Sequence, residues 1–241
     1  HKGEKLIMLL NKRYKIIKTL ENQGQSTKYH GEDTVTKGKV FIKGRTYHGM
    51  GLPIEKEIYQ QVHHEQVPRL LDTFIESDTE YLVLSWIDGI SAEAYFDKGE
   101  TSDTGLIHIF LQICEVVQYL HRHPMGIIHR DINLSNMMIS DYGRVYLIDF
   151  DISTCDRFIE SSKEVAGTIG YTAPETMLCP EMSGKQSDVF SIGASLTAAL
   201  KKSPKVYSME LMTIAKKAMA VIPSERYSGI EEVMKDLNLL L

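Results

Sequence analysis

Over the first third of the chain, apolar residues come in short runs; after that they follow a helical period. The runs RYKIIKTL (13–20), STKYHGED (26–33), GKVFIKGR (38–45), RLLDTFIES (69–77) and EYLVLSWI (80–87) are β-branched or aromatic in character. Turn-prone polar residues separate them, which predicts five strands. Between the third and fourth, PIEKEIYQQVHH (53–64) sets Ile54, Ile58, Tyr59 and Val62 at helical spacing behind a Pro. Five antiparallel strands and one helix make a small lobe.

The rest reads as mainly helical. TGLIHIFLQICEVVQYLHRH (104–123) carries Leu106, Ile109, Phe110, Ile113, Val116, Val117 and Leu120 on one broad face, the mark of a buried amphipathic helix. Two short strands flank a turn in NMMISDYGRVYLIDF (136–150), where Asp141 and Gly143 supply the turn chemistry. Further helices are expected near 174–179, 186–200, 208–220 and 229–239. The segments 97–103 and 153–167 are polar loops, and no internal repeat or low-complexity stretch is visible.

Composition narrows the classes. A chain of 241 residues is long enough for one large domain or two lobes. A net charge of −5 argues against a general nucleic-acid or anionic-membrane binder. Cys114, Cys155 and Cys179 form neither a CxxC pair nor a disulfide framework, which suits a reducing compartment. The neighbours His63 and His64 lack partners at zinc-ligand spacing. No apolar run is long enough for a membrane span and no signal peptide is visible, so a cytoplasmic location is expected. The chain opens on His and closes on LNLLL, as the cytoplasmic part of a longer protein would.

The polar clusters carry the chemistry. Phosphoryl transfer needs a cation on the phosphates, oxygen ligands for Mg²⁺ and an acceptor for the incoming hydroxyl's proton. Lys43 ends the strand KVFIK, Asp131 and Asn136 lie in HRDINLSN, and Asp149 opens DFD after VYLI. GTIGYTAPE (167–175), SDVFSIG (187–193) and PSERYS (223–228) follow in order. Taken singly, Asp131 and Asp149 could merely cap a helix or a turn. In this order the motifs resemble those of the eukaryotic-like (Hanks-type) protein kinase superfamily, from about residue 20 to 230.

That resemblance implies an α+β, two-lobed protein kinase fold, with an N-lobe at 1–87 and a C-lobe at 88–241. It implies ATP and Mg²⁺ as cofactors and a protein substrate that the sequence does not name. By match, Asp131 is the catalytic base, Asn136 and Asp149 hold Mg²⁺, and Lys43 binds the α- and β-phosphates. Family spacing selects Glu55 as the partner of Lys43, with Glu57 as runner-up. Thr168 resembles the residue that hydrogen-bonds the catalytic Asp. Gly24, Phe41, the hinge residues Ser85 and Ile87, and Met138 fall at nucleotide-binding positions. Glu175 and Arg226 resemble a buried ion pair, and Asp188 resembles the residue holding the catalytic loop. His129, Phe150, Tyr59 and Leu70 match the family's core column. Arg130 is the expected receiver of a phosphate on Ser161 or Ser162.

The chain also departs from the family. In LENQGQSTK (20–28), Glu21, Gln23 and Ser26 stand where three glycines are usual, and Lys28 stands where a Val covers the adenine. Phe41 replaces the usual Ala and could either plug the adenine slot or stack on the base. Asp151 replaces the Gly of DFG, and Asn133 replaces the Lys of HRDxK, removing a cation. The stretch from Asp188 to Arg226 is short for the family, which implies loss of a docking helix. The reading is a bacterial-style Ser/Thr protein kinase; the alternative is a pseudokinase serving as a binding or scaffolding module, with a small-molecule kinase as a third.

Overall fold

The computed structural model describes residues 8–23, 26–46, 54–157, 167–204, 206 and 208–241. The chain divides into two compact units, one made of 1–60 and 68–87, the other of 61–67 and 88–241.

The first unit is an antiparallel sheet with one helix. Its strands are β1 (Leu9–Leu10), β2 (Tyr14–Gln23), β3 (Ser26–Asp33), β4 (Lys39–Thr46), β5 (Leu70–Glu76) and β6 (Thr79–Ser85), ordered β1-β2-β3-β4-β6-β5. The five expected strands are thus joined at the edge by a sixth of two residues. Helix α1 spans Ile54–Gln61. Alternation along β4 sorts its side chains: Val40 and Ile42 enter a core with Leu10, Tyr14, Tyr81 and Val83, while Phe41 and Lys43 take the other face. Tyr14, Phe74 and Tyr81 stack in sequence through that core, with centroid separations of 5.8 and 5.0 Å.

The second unit holds a small sheet, β7 (Gly89–Ser91), β8 (Met137–Ser140) and β9 (Val145–Leu147), and the remaining helices. Strand β7 and helix α2 (Ala92–Phe96) were not legible as periodic segments, because each is too short to show a period. Segment 61–67 belongs with this unit because Gln66 is bound to it. Its amide donates to Gln112 Oε1 and Val145 O, and its carbonyl accepts from Leu147 N.

Helix α3 (Asp103–Arg122) is capped by Ser102, whose Oγ accepts from Gly105 N, and buries the predicted apolar face. Helices α4 (Pro174–Leu178), α5 (Lys185–Lys202), α6 (Met209–Ala218) and α7 (Ile230–Asn238) complete the unit. Gly193 of α5 lies so close to Ala218 of α6 and the Ala215 carbonyl that a Cβ there would collide with both. No helix lies between α5 and α6 among the described residues, where the chain is short for the resemblance.

Candidate active site

Helix α5 is buried around most of its circumference, and it holds the loop that carries the central carboxylate. Asp188 Oδ2 accepts from His129 N at 2.9 Å and from His121 Nε2 at 2.8 Å, while Oδ1 accepts from Arg130 N at 2.9 Å. Burial by itself would raise the Asp188 carboxyl, but these hydrogen bonds and the nearby histidines outweigh it and lower the pKa. Ser195 Oγ, two turns further along α5, donates to Ile132 O. Paired hydrogen bonds between Ile128 and Thr154 tie down the other side of the loop. Arg130 is held at φ 69°, in the left-handed region, as is Asp149 at φ 65°.

The Asp131 side chain projects from this braced loop into a set of donors. Its Oδ1 accepts from Thr168 Oγ1 at 2.7 Å, Asn133 Nδ2 at 3.0 Å and Thr168 N at 3.1 Å. Its Oδ2 accepts from Asn136 Nδ2 at 2.8 Å. A carboxylate has about four lone-pair sites, so Oδ2 keeps capacity for one more donor. Thr168 is presented by a turn beginning at Gly167, whose φ of 128° and close approach to Thr172 both require glycine.

Asn133 does more than sequence reasoning assigned to it. Its Oδ1 accepts from Ser135 N and Asn136 N, capping the short helical turn Leu134–Asn136, while Nδ2 reaches Asp131 and Thr168 Oγ1. The sequence shows only a missing lysine there; the hydrogen bonds depend on which way the turn faces. His121 likewise belongs to none of the motifs. Its signal was its place on the buried face of α3, four residues after Val117.

Asn136 uses its amide nitrogen on Asp131, so its amide oxygen is the end left to meet a cation. Its backbone carbonyl accepts from Ile148 N, the residue before Asp149. Among the described residues no three His, Cys, Asp or Glu gather for a metal. One amide oxygen and one carboxylate still fit Mg²⁺, which takes few protein ligands and completes its shell with phosphate and water.

In the first unit, Lys43 is buried and its Nζ contacts both oxygens of Glu55 at 2.9 Å. Of the two glutamates offered by α1, Glu55 makes this pair. Phe41 lies opposite His30 and Leu84 on the face shared with Lys43. Ser85 ends β6, where its N–H donates to Arg69 O and its Oγ accepts from Arg69 N; Ile87 closes the unit. Met138 lies in β8, in the second unit. Gly24, Ser161 and Ser162 lie outside the described residues.

Other residues named by the motifs also lie in the second unit. Arg226 binds Glu175 through both arms, at 2.7 and 2.8 Å, and donates to the carbonyls of Ala220, Gln186 and Val221. Burial would raise the Glu175 carboxyl, but Arg226 and Ser187 outweigh it and hold it lower. Arg130 is buried, and among the described residues its Nε and Nη2 have no hydrogen-bond partner. His129 packs at a tilt against Phe150, with ring centroids 4.8 Å apart, whereas Tyr59 and Leu70 lie in the first unit.

A sheet-and-helix unit bearing a Lys–Glu pair, and a helical unit bearing a braced Asp with a neighbouring Asn, define an α+β protein of two compact units. Residues 26–238 match the protein kinase domain family, and the chain belongs to that family, with its two-lobed fold. It is 30% identical over 178 residues to human "Serine/threonine-protein kinase Nek10", covering 72% of this chain and 15% of the relative. It is 27% identical over 205 residues to the mouse "Hormonally up-regulated neu tumor-associated kinase", covering 81% of this chain and 28% of the relative. It is 28% identical over 229 residues to "Serine/threonine-protein kinase C" of Synechocystis sp., covering 86% and 42%. The chain therefore spans less than half the length of each of these relatives. No helix among the described residues is long and apolar enough to cross a membrane.

Proposed function

We propose that the chain transfers the γ-phosphate of ATP to Ser or Thr hydroxyls of a protein substrate. The observation that carries this reading is the Asp131 carboxylate, braced on one oxygen by three donors and keeping acceptor capacity on the other. The acceptor hydroxyl donates to Oδ2 of Asp131, which orients it and takes its proton as the new P–O bond forms. The bond from the γ-phosphorus to the bridging oxygen breaks, and ADP leaves. Lys43, oriented by Glu55, binds the α- and β-phosphates. Asn136 and Asp149 would hold Mg²⁺, which would supply neutralisation of the phosphate charge. The names of the relatives support Ser/Thr as the acceptor, and Arg130 Nε and Nη2, without a hydrogen-bond partner among the described residues, support a phosphate-receiving role toward the segment of Ser161 and Ser162. The short stretch between α5 and α6 supports the minimal, bacterial-style build.

A second reading, a pseudokinase binding module, is favoured by one observation: Glu21, at a usual glycine position, places a carboxylate beside Lys28. The two readings separate in one experiment. Melting is followed with rising ATP and Mg²⁺, and labelled phosphate transfer to a generic Ser/Thr substrate is measured in parallel. A ligand at a hundredfold excess over Kd stabilises by about 2.7 kcal/mol, so binding gives a clear rise in Tm. Transfer that disappears in Asp131→Asn while the nucleotide shift remains is the expected result. No shift at millimolar nucleotide, or a shift without transfer, overturns the kinase reading.

A further inference from the structure

One face of the first unit's sheet bears an unusual row of charges. Glu21 of β2 lies directly opposite Lys28 of β3, and Lys28 lies directly opposite Lys43 of β4. Directly opposed residues share a face, with Cβ atoms about 5 Å apart. The row ends at Leu82 of β6, opposite Lys43. Two like charges facing each other across strands are destabilising unless compensated. Here each lysine has its own carboxylate: Lys28 Nζ sits 2.9 Å from Glu21 Oε2, and Lys43 Nζ sits 2.9 Å from both Glu55 oxygens. The row across the sheet thus reads minus, plus, plus, apolar, and the carboxylate of the second lysine comes from helix α1 rather than from a strand.

The next row on the same face, two residues along each strand, has a different character. His30, Phe41 and Leu84 are cross-strand neighbours there, and His30 stacks on Trp86 with ring centroids 4.2 Å apart. A flat aromatic and apolar row thus runs about 7 Å from a row centred on two cations. That pairing suits a molecule with a planar base at one end and a polyanion at the other.

We infer that Lys28 is a second phosphate-binding cation, acting beside Lys43 in place of the backbone amides that a glycine-rich turn would provide, and that Glu21 is its counter-ion until phosphate arrives. The inference rests on the nucleotide-binding reading above. The two ion pairs differ in burial: the Lys43–Glu55 pair is buried, whereas the Lys28 and Glu21 side chains are 25% and 37% exposed. The exposed pair is the one that an incoming phosphate can exchange at small cost, because a solvent-screened pair is worth little. A triphosphate that displaces Glu21 gains a cation and loses a neighbouring negative charge.

The test is calorimetric titration of the wild-type chain, Lys28→Ala, Lys28→Arg, Glu21→Gln and Lys43→Ala with Mg²⁺-ATP and with adenosine. Lys28→Ala is expected to weaken Mg²⁺-ATP about tenfold or more and leave adenosine unchanged, with Lys28→Arg restoring ATP binding. Glu21→Gln is expected to tighten Mg²⁺-ATP several-fold, an effect that vanishes when Lys28→Ala is added. Wild-type affinity for ATP in Lys28→Ala, with loss in Lys43→Ala, would overturn the role of Lys28 and leave the nucleotide reading standing. Absence of binding by both the wild type and Glu21→Gln overturns the two together. Melting of each variant without ligand shows that it is folded, and the arginine variant keeps the test valid if the alanine variant is not.

Discussion

Asn133 replaces a cation with an amide, and its two ends serve separate purposes. The oxygen caps the turn that carries Asn136, and the nitrogen restrains Asp131 and Thr168. Asn133→Asp keeps an acceptor for the turn but removes the donor and sets a carboxylate beside Asp131. If the donor positions the base, phosphate transfer should lose on the order of tenfold to a hundredfold in kcat, as small misplacements of a reacting group do. KM for ATP and the melting temperature should stay close to wild type. A wild-type kcat, or an equal loss of stability, would show that Asn133 only caps the turn.

At the scale of elements, α5 is the piece that organises the second unit. One end holds the loop that carries Asp131 through Asp188; the same helix supplies Gln186 O to Arg226 and Ser187 to Glu175. The Arg226 side chain is 0% exposed and its guanidinium is fully engaged. Removing one member of such a pair leaves the other charge buried without compensation. Arg226→Met is therefore expected to cost about 3–5 kcal/mol, read from the denaturant midpoint. The double variant with Glu175→Gln should recover part of that loss, and no recovery would mean that the three backbone contacts of Arg226 carry the effect instead.

For the whole molecule, the buried titratable groups of the second unit give stability a direction with pH. His129 and His64 are both pushed below 6.5, chiefly by burial. The unfolded chain then takes up their protons first, so stability falls as pH drops through 6.5 toward the lower folded values. Glu175 and Asp188 are held below their ordinary 4.5 and 3.8. Their contribution is complete above those values and drains as pH falls through the lower folded ones. Unfolding free energy should thus decline in two stages between pH 7 and 3. His129→Phe should shrink the first stage and leave the second; an unchanged first stage would remove His129 as its source.

The order of the motifs, the strand and helix periods and the lysine–aspartate–asparagine set were all legible along the chain, because each depends on local spacing. The burial of α3 followed from its apolar face, and the five longer strands of the first unit from their composition. The two-residue strand β1, strand β7 and helix α2 are not legible, since each is too short to show a period, and β7 forms only against β8, distant in sequence. Nor could the chain announce that segment 61–67 joins the helical unit, a matter of three hydrogen bonds through Gln66. By itself, then, the sequence determined the family and the identity of the polar groups. Tertiary structure decided which groups meet: Asn133 with Asp131, His121 with Asp188, Glu21 with Lys28, and Lys28 opposite Lys43. Strand register and helix orientation set those contacts, and both are fixed by packing across the fold rather than by spacing along it.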